Sequence, residues 1–444
     1  MHALLKSTCE IPVPKERSLR LTEQVNPVLS NEVRRRLRYM HMQSFDQEQG
    51  GLLSPIKFID RDSTEYSLVL AADQDKNEER MARITLDNAS ALIDPVWGGV
   101  YQYSTQGKWD VPHYRKTMAA QAGHLRLYAL AYAQMKLNRY KDVCDSIQTY
   151  IKNFMTSDFG AFYSGQSDCI AGINPMLFFS LNNTSRKLIG IPEVDKRIHT
   201  RENGWIIEAL ATHYEYCGNQ RSLIMAINAA SWINQSCQDN DDGYLTNTMT
   251  QKPLYLSDTL SMARAMLQLY RATLDKQYLK LACDSARFIN RNFKNKICGY
   301  NSKLHSKNET TPPRQMDENI SLTRFVNLLS YYSGEQVFTK MAKHGLRYLC
   351  IPEIATARME EAGILLIDRE MSSSPLTITI NGKLYDPVLK EFIKIAQRNP
   401  AWYKLIKVSS AASASASIEI DGIKSNAVTS PEKLKKLLQN HQSC

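Results

Sequence analysis

Apolar residues return at i, i+3, i+4 and i+7 along most of this 444-residue chain, one segment after another. The period predicts helices over residues 31–44, 78–91, 113–137, 140–155, 204–216, 221–237, 257–274, 277–293, 319–332 and 336–349. Weaker patterns add 63–72, 174–188 and 354–370. The links between partners are as short as Asn138-Arg139 or Ser333-Gly334-Glu335, which implies antiparallel neighbours. Residues 118–122 are small and apolar, as an inner-ring helix should be, and 141–152 are amphipathic, as an outer helix should be. The dozen or so segments suit six antiparallel hairpins closed into an (α/α)6 toroid.

A short phrase recurs between the segments, at residues 45–52, 94–101, 158–164, 242–245 and, more weakly, 298–302. Each copy has a turn glycine, then an aromatic or aliphatic residue, then in most copies Ser, Thr or Asn. That spacing predicts a tight loop entering a short extended stub. When hairpins close on themselves, such loops gather at one end around a central cavity. After Pro375 the texture changes. Residues 376–380 alternate and are β-branched, 386–397 are helical, 405–408 and 417–420 read as strands, and 431–438 as a last helix capped by Ser430. The expected organisation is an irregular lead-in over 1–26, the toroid over 27–372 and a small α/β appendix over 373–444. Residues 409–415 read as a low-complexity loop, and 303–317 as a polar loop suited to covering the toroid mouth.

Composition narrows the function classes. The chain is 43% hydrophobic and 23% charged, with no apolar run long enough for a bilayer and no secretory signal over residues 1–20. A membrane partner is therefore not expected. The nine cysteines are scattered without a CxxC pair, which fits reduced thiols in a cytoplasmic setting. The net charge of +10 admits an anionic partner. Its densest basic run, Arg34-Arg35-Arg36-Leu37-Arg38, lacks interleaved aromatics and reads as a solvated helix face rather than a nucleic-acid surface. His124 and His213 fall inside helices and read as packing residues. No HxxxH, HxH or HExxH spacing supports a metal, no glycine fingerprint supports a dinucleotide or P-loop phosphate, and no cofactor is expected.

The densest chemistry lies over residues 94–121, where Asp94, Tyr103, Trp109, His113 and Lys116 flank the Gly98-Gly99 turn. Carbohydrate sites need this mix of stacking faces and proton-handling groups. Pro112 before His113 predicts a helix start, where the dipole favours a neutral imidazole. His113 as a base and His113 as a loop-ordering residue are equally good readings. Asp168 and Tyr163 follow the third glycine phrase. Glu202 and Trp205 open one helix and Asp258 another. For these three the bland reading, helix capping and core packing, carries more weight.

The phrase Asp94, Gly98-Gly99, Tyr101, Tyr103-Ser104, Trp109, Val111-Pro112-His113, Lys116, Met118 resembles the spermatogenesis-associated, thioredoxin-domain-containing proteins. The resemblance covers roughly residues 27–444. It implies a six-hairpin glycosidase-like toroid similar to the N-acylglucosamine 2-epimerases. Against that family pattern, Gln102 stands for an arginine, Arg115 for a glutamate and Gln121 for an acid, and no thioredoxin-like cysteine motif is present. The resulting expectation is a sugar- or glycan-directed protein. His113 would be its proton-transfer group, with Asp94 and Asp168 as partners. Tyr103, Trp109 and Tyr163 would be sugar platforms, and Lys116, Glu202, Trp205 and Asp258 further contacts. The lost charges motivate the alternatives, a non-catalytic binding or scaffold protein, or a partner of a thioredoxin-like redox protein.

Overall fold

The computed structural model describes residues 26–170, 172–239, 241–249, 254–304, 312–358, 361–383 and 385–440. Almost all of the lead-in, Cys9 and Cys444, and the middle of the 303–317 loop lie outside them. Twelve long helices alternate between two rings. The outer ring is α1 (Asn31–Gln43), α3 (Lys76–Ala89), α5 (Asn138–Tyr150), α7 (Gln220–Cys237), α9 (Lys276–Asn292) and α11 (Gln336–Leu349). The inner ring is α2 (Arg61–Ala72), α4 (Met118–Met135), α6 (Thr200–Cys217), α8 (Leu256–Thr273), α10 (Met316–Ser333) and α12 (Ala362–Ser372). Inner helices pack in sequence order, and α12 returns against α2, so the ring closes. The helices α4, α6, α8 and α10 are rich in Ala, Ser and Thr, which lets their backbones approach on both flanks.

The glycine phrases carry the chain from outer to inner helix. In all five a one-residue antiparallel bridge closes the loop: Phe45 with Leu52, Ile93 with Val100, Thr156 with Phe162, Gln238 with Tyr244 and Lys294 with Tyr300. The next inner helix then clamps the bridged residue. Gln121 holds both backbone groups of Val100 at 2.7 and 2.8 Å, Asn203 those of Phe162 at 2.8 and 3.0 Å, and Asn319 those of Tyr300 at 2.7 and 3.0 Å. Gly99 shows why glycine is required. Its φ is +76°, and a Cβ there would lie 2.4 Å from the Tyr150 ring. At the opposite end, tight turns with a left-handed residue (Lys136, Gly218, Leu274, Gly334) return the chain to the outer ring.

Three helices differ from expectation. The segment predicted from 113 becomes helical only at Met118, because Lys116–Thr117 (β3) pairs with Gly165–Gln166 (β4), which in turn pairs with Val194–Asp195 (β5). His113 therefore sits in a two-residue strand (β2, Pro112–His113) paired with Tyr103–Ser104 (β1), not at a helix start. The segment over 174–188 breaks into Pro175–Ser180 and Asn183–Ile189, each with its own asparagine cap, and the last breaks into Pro352–Ala355 and α12.

Beyond α12, strands β6 (Leu376–Asn381), β7 (Lys404–Ser409), β8 (Ser415–Ile420) and β9 (Ile423–Lys424) form a sheet in the order β7-β6-β8-β9. Only β6 and β7 are parallel, with α13 (Pro387–Arg398) as their crossover, and α14 (Pro431–Asn440) packs on the same apolar face. This unit docks on the base of the toroid. Gln397 donates to the carbonyls of Arg271 and Ala272, and Asn327 donates to the Tyr403 hydroxyl. Among the described residues no helix is long and apolar enough to cross a membrane.

Candidate functional site

The inner helices run in one direction, so their N-termini share one end, the mouth. Below it lies an axial cavity of about 590 Å³, a size typical of small-molecule sites. The upper wall carries Phe58, Asp60, Asp62, Gln102, Tyr103 and Trp205, with small residues of α4 between them. Trp205 is flanked by the guanidinium groups of Arg201 at 5.1 Å and Arg61 at 5.8 Å from its ring.

Carboxyls converge at this end. Asp60 caps α2 by accepting from Ser63 N at 2.8 Å. Burial, and then the neighbouring Asp62, push its carboxyl up to about 6. Glu361, just before α12, bonds Arg358 at 3.2 Å, yet burial and then Asp62, Asp60 and Asp317 push it up to about 8. Glu318, in the first turn of α10, is pushed to about 8 by burial, Asp317 and Asp258, and its Oε2 has no hydrogen-bond partner. About two turns below Thr117, His124 faces the cavity. Its Nδ1 lies 2.9 Å from the Ala120 carbonyl, so the proton is assigned there. Its Nε2 is left as an unpartnered acceptor, and burial pushes the imidazole down to about 4.

At the waist each inner helix contributes one charge. Glu65, Arg126, Glu208, Arg264, Arg324 and Glu370 follow one another around the ring. Five of them are the ninth residue of their helix, about 12 Å below its start. The ion pairs are Glu65–Arg126 at 2.7 Å, Arg126–Glu208 at 3.5 Å, Glu208–Arg264 at 2.8 Å, Arg324–Glu370 at 2.7 Å and Arg324–Glu65 at 2.9 Å. Burial alone would raise Glu65, but Arg126 and Arg324 hold it well below the usual carboxylate range. At the base, Glu215 meets Arg271 at 3.0 Å and Lys404 at 3.1 Å, and Trp402 and Tyr403 of the C-terminal unit form the floor.

Of the residues expected from sequence, Tyr103 and Trp205 line the cavity. His113 stacks on Tyr103 with ring centroids 5.0 Å apart, and the Asp168 carboxylate lies 3.8 Å from its Nδ1. These form the rim. The others are elsewhere. Asp94 is buried, 2.8 Å from both Lys116 Nζ and Arg186 Nη1, and Lys116 also donates to the Gly98 carbonyl. The first glycine phrase has the same device, with Lys57 Nζ on Asp46 at 2.6 Å and on the Gly50 and Leu52 carbonyls. Asp94 and Lys116 are thus a loop staple used twice, not a proton-transfer partner and a substrate contact. Trp109 is buried on Gly51 and donates to the Gln49 carbonyl at 2.8 Å, so it offers no face to a sugar. Asp258 is buried and accepts from Thr246, while Tyr163 packs on the core. Glu202 lies in the first turn of α6, outside the cavity wall. Gln121 clamps Val100, so it is no lost mouth charge.

Sequence reasoning missed Asp60, Asp62, Glu361 and His124. The available signal was positional. Acids cluster around the starts of several helices that all begin at one end.

Residues 196–334, from just before α6 through α10, match the family model "Beta-L-arabinofuranosidase, GH127 catalytic domain". Spermatogenesis-associated protein 20 of Homo sapiens is 30% identical over 131 residues, 28% of this chain and 17% of that protein. An uncharacterised protein of Caenorhabditis elegans is 26% identical over 138 residues, 29% of this chain and 19% of that protein. The matches thus span less than a fifth of these relatives' own length. Among solved structures, a sugar epimerase from a ruminal bacterium superposes with a TM-score of 0.57 at 14% identity, covering 72% of this chain and 85% of that one. Cellobiose 2-epimerase from Bacillus thermoamylovorans gives 0.56 at 12%, over 72% and 86%. A family 76 α-mannanase from Bacteroides thetaiotaomicron gives 0.53 at 13%, over 72% and 83%. At these identities the likeness is one of fold. The chain has the six-hairpin toroid of carbohydrate-active enzymes and resembles the helical portion of the spermatogenesis-associated proteins.

Proposed function

We propose that this chain binds a carbohydrate at the cavity mouth and performs proton-transfer chemistry on it, as a glycosidase- or epimerase-type enzyme. The observation that carries this reading is the Asp60–Asp62 pair on the upper cavity wall. Asp60 is the better proton donor, since burial and Asp62 raise its proton affinity, and Asp62 is the carboxylate that accepts a proton or steadies developing positive charge. Trp205 and Tyr103 supply flat apolar faces for sugar C–H surfaces. His124 offers a neutral, unpartnered nitrogen deeper in the cavity, suited to accepting a hydrogen bond from a sugar hydroxyl. His113 with Asp168 is a second proton-handling pair at the rim. A cytoplasmic setting with reduced thiols belongs to this reading.

A second reading has its own support. Glu65, Glu208, Glu215 and Glu370 are all matched to basic partners, as in a cavity kept for packing and binding rather than turnover.

The test is ligand-detected NMR with thermal shift across monosaccharides, disaccharides, N-acetylated sugars and sugar phosphates. It uses wild type, Asp60→Asn, His124→Ala and His113→Ala. Binding by wild type, with turnover lost in folded Asp60→Asn, is expected. A sugar bound but never turned over by wild type favours the second reading. A blank panel with all proteins folded overturns both.

A further inference from the structure

Away from the cavity, α5 and the last turn of α6 bring together side chains that the sugar chemistry does not use. His213 and Cys217 are four residues apart on α6 and so share one face. Cys144 faces them from α5. One imidazole nitrogen of His213 and the two Sγ atoms all lie within 4.8 Å of one another. His213 Nδ1 lies 2.9 Å from Ser222 Oγ, while its buried Nε2 has no hydrogen-bond partner. Asp145, next to Cys144, places Oδ1 at 3.5 Å from that same Nε2. The sequence shows the relevant spacing as His213-x3-Cys217, a mixed pair hidden from a search for paired histidines or paired cysteines.

We propose that Cys144, His213 and Cys217, with Asp145 as fourth ligand, form a structural zinc site that fastens outer helix α5 to the base of inner helix α6. Two thiolates, one imidazole and one carboxylate are a donor set that suits a borderline-soft divalent cation in tetrahedral geometry. Zinc–sulfur bonds of about 2.3 Å put two thiolates about 3.8 Å apart, so the two cysteine side chains need draw in by at most about 1 Å. The remaining contacts already resemble an outer shell. Ser222 orients the imidazole, and Asn219 and Lys141 hold Asp145 at 2.8 and 3.0 Å. Cys144 and His213 are buried, while Cys217 is half-buried and Asp145 is 37% exposed, which gives the ion a way in. Binding one Zn2+ releases the two thiol protons and changes no oxidation state. The bound cluster carries one net negative charge, and Lys136 and Lys141 stand close enough to balance it.

The experiment uses the full chain, reduced and stripped with a chelator. Zinc is titrated against a chromophoric chelator, and cobalt is added in a parallel sample. One tightly held zinc per chain is expected. So are a thiolate-to-cobalt charge-transfer band with tetrahedral visible bands, and protection of two thiols from alkylation. Cys217→Ser and His213→Asn should abolish the cobalt thiolate signature or halve it. Ser222→Ala should weaken zinc about 10- to 100-fold. Cys169→Ser, at an exposed thiol elsewhere, should change nothing. The wild-type alkylation readout stands even if a variant fails to fold. Failure of the reduced chain to hold zinc against the chelator overturns the proposal, as does a six-coordinate cobalt spectrum without a thiolate band. A Cys144–Cys217 disulfide, with no zinc binding after its reduction, also overturns it.

Discussion

At the waist of the cavity, Glu65, Glu208 and Glu370 each meet an arginine. About one to two and a half helical turns higher, Asp60, Asp62 and Glu361 chiefly meet one another and Glu318 meets Asp317 and Asp258, with Arg358 on Glu361 and Arg61 and Arg201 at longer range. The two tiers use the same residue types on the same ring of helices. Glu65 lies deep but is kept charged by two guanidinium groups. Glu370 shares Arg324 with it and is pushed upward by its own burial. Asp60, Glu318 and Glu361 have fewer cations, so burial and neighbouring carboxyls make them hold their protons closer to neutrality. Two guanidinium partners outweigh burial at Glu65, whereas the one partner that Glu370 shares does not, so the number of partners decides whether a deep carboxyl stays charged.

The sharpest way to break this comparison is at the waist. Arg324→Met leaves Glu65 and Glu370 short of their shared partner and should destabilise the fold by about 3–5 kcal/mol in denaturant unfolding. Adding Glu370→Gln to that variant should recover part of the loss. A neutral single substitution would show the belt to be ornamental. At the mouth the opposite is expected. Asp60→Asn keeps a good helix cap and removes the proton donor. It should cost about 100- to 10,000-fold in turnover of a sugar identified by the binding screen, with the unfolding midpoint retained.

Acidity gives a third contrast. Glu361 holds its proton up to about pH 8 when folded, whereas an unfolded glutamate releases it near 4.5. Between those values the folded state binds more protons, so this stabilising contribution is full below about 4.5 and is lost as pH rises through 8. The slope is at most about 1.4 kcal/mol per pH unit for this group. Glu361→Gln should flatten the fall of thermal midpoint over that range, and an unchanged curve would contradict its assignment. The smallest effect is expected from Trp205→Ala, about a tenfold loss of sugar affinity, or ~1.4 kcal/mol, measured by titration.

The toroid was legible because its logic is local and repeated. Each glycine phrase must turn tightly against an outer helix, as Gly99 does on Tyr150, and each inner helix must be lined with small residues. The site was less legible because its members come from distant segments. Asp62 and Glu361 are neighbours only once α12 closes against α2. Within the stretch richest in reactive residue types, 94–116, Asp94, Trp109 and Lys116 hold loops together, since composition cannot separate a stapling Asp–Lys pair from a reacting one. The twin pair Asp46–Lys57 was the available clue, because chemistry is seldom duplicated while loop construction is. His113 was read as a helix-start residue because the β3–β4 pairing that delays α4 depends on a segment some fifty residues away.

The floor laid by Trp402 and Tyr403 bears on what kind of molecule could be served. With the base sealed by the C-terminal unit, the mouth is the route both in and out. A polymer cannot be threaded through such a vessel. It can present only a terminus, and whatever is released must depart before the next molecule arrives. Traffic of this kind favours free small sugars or chain ends over the interior of a long glycan, and it makes departure through a shared doorway a candidate for the slowest step.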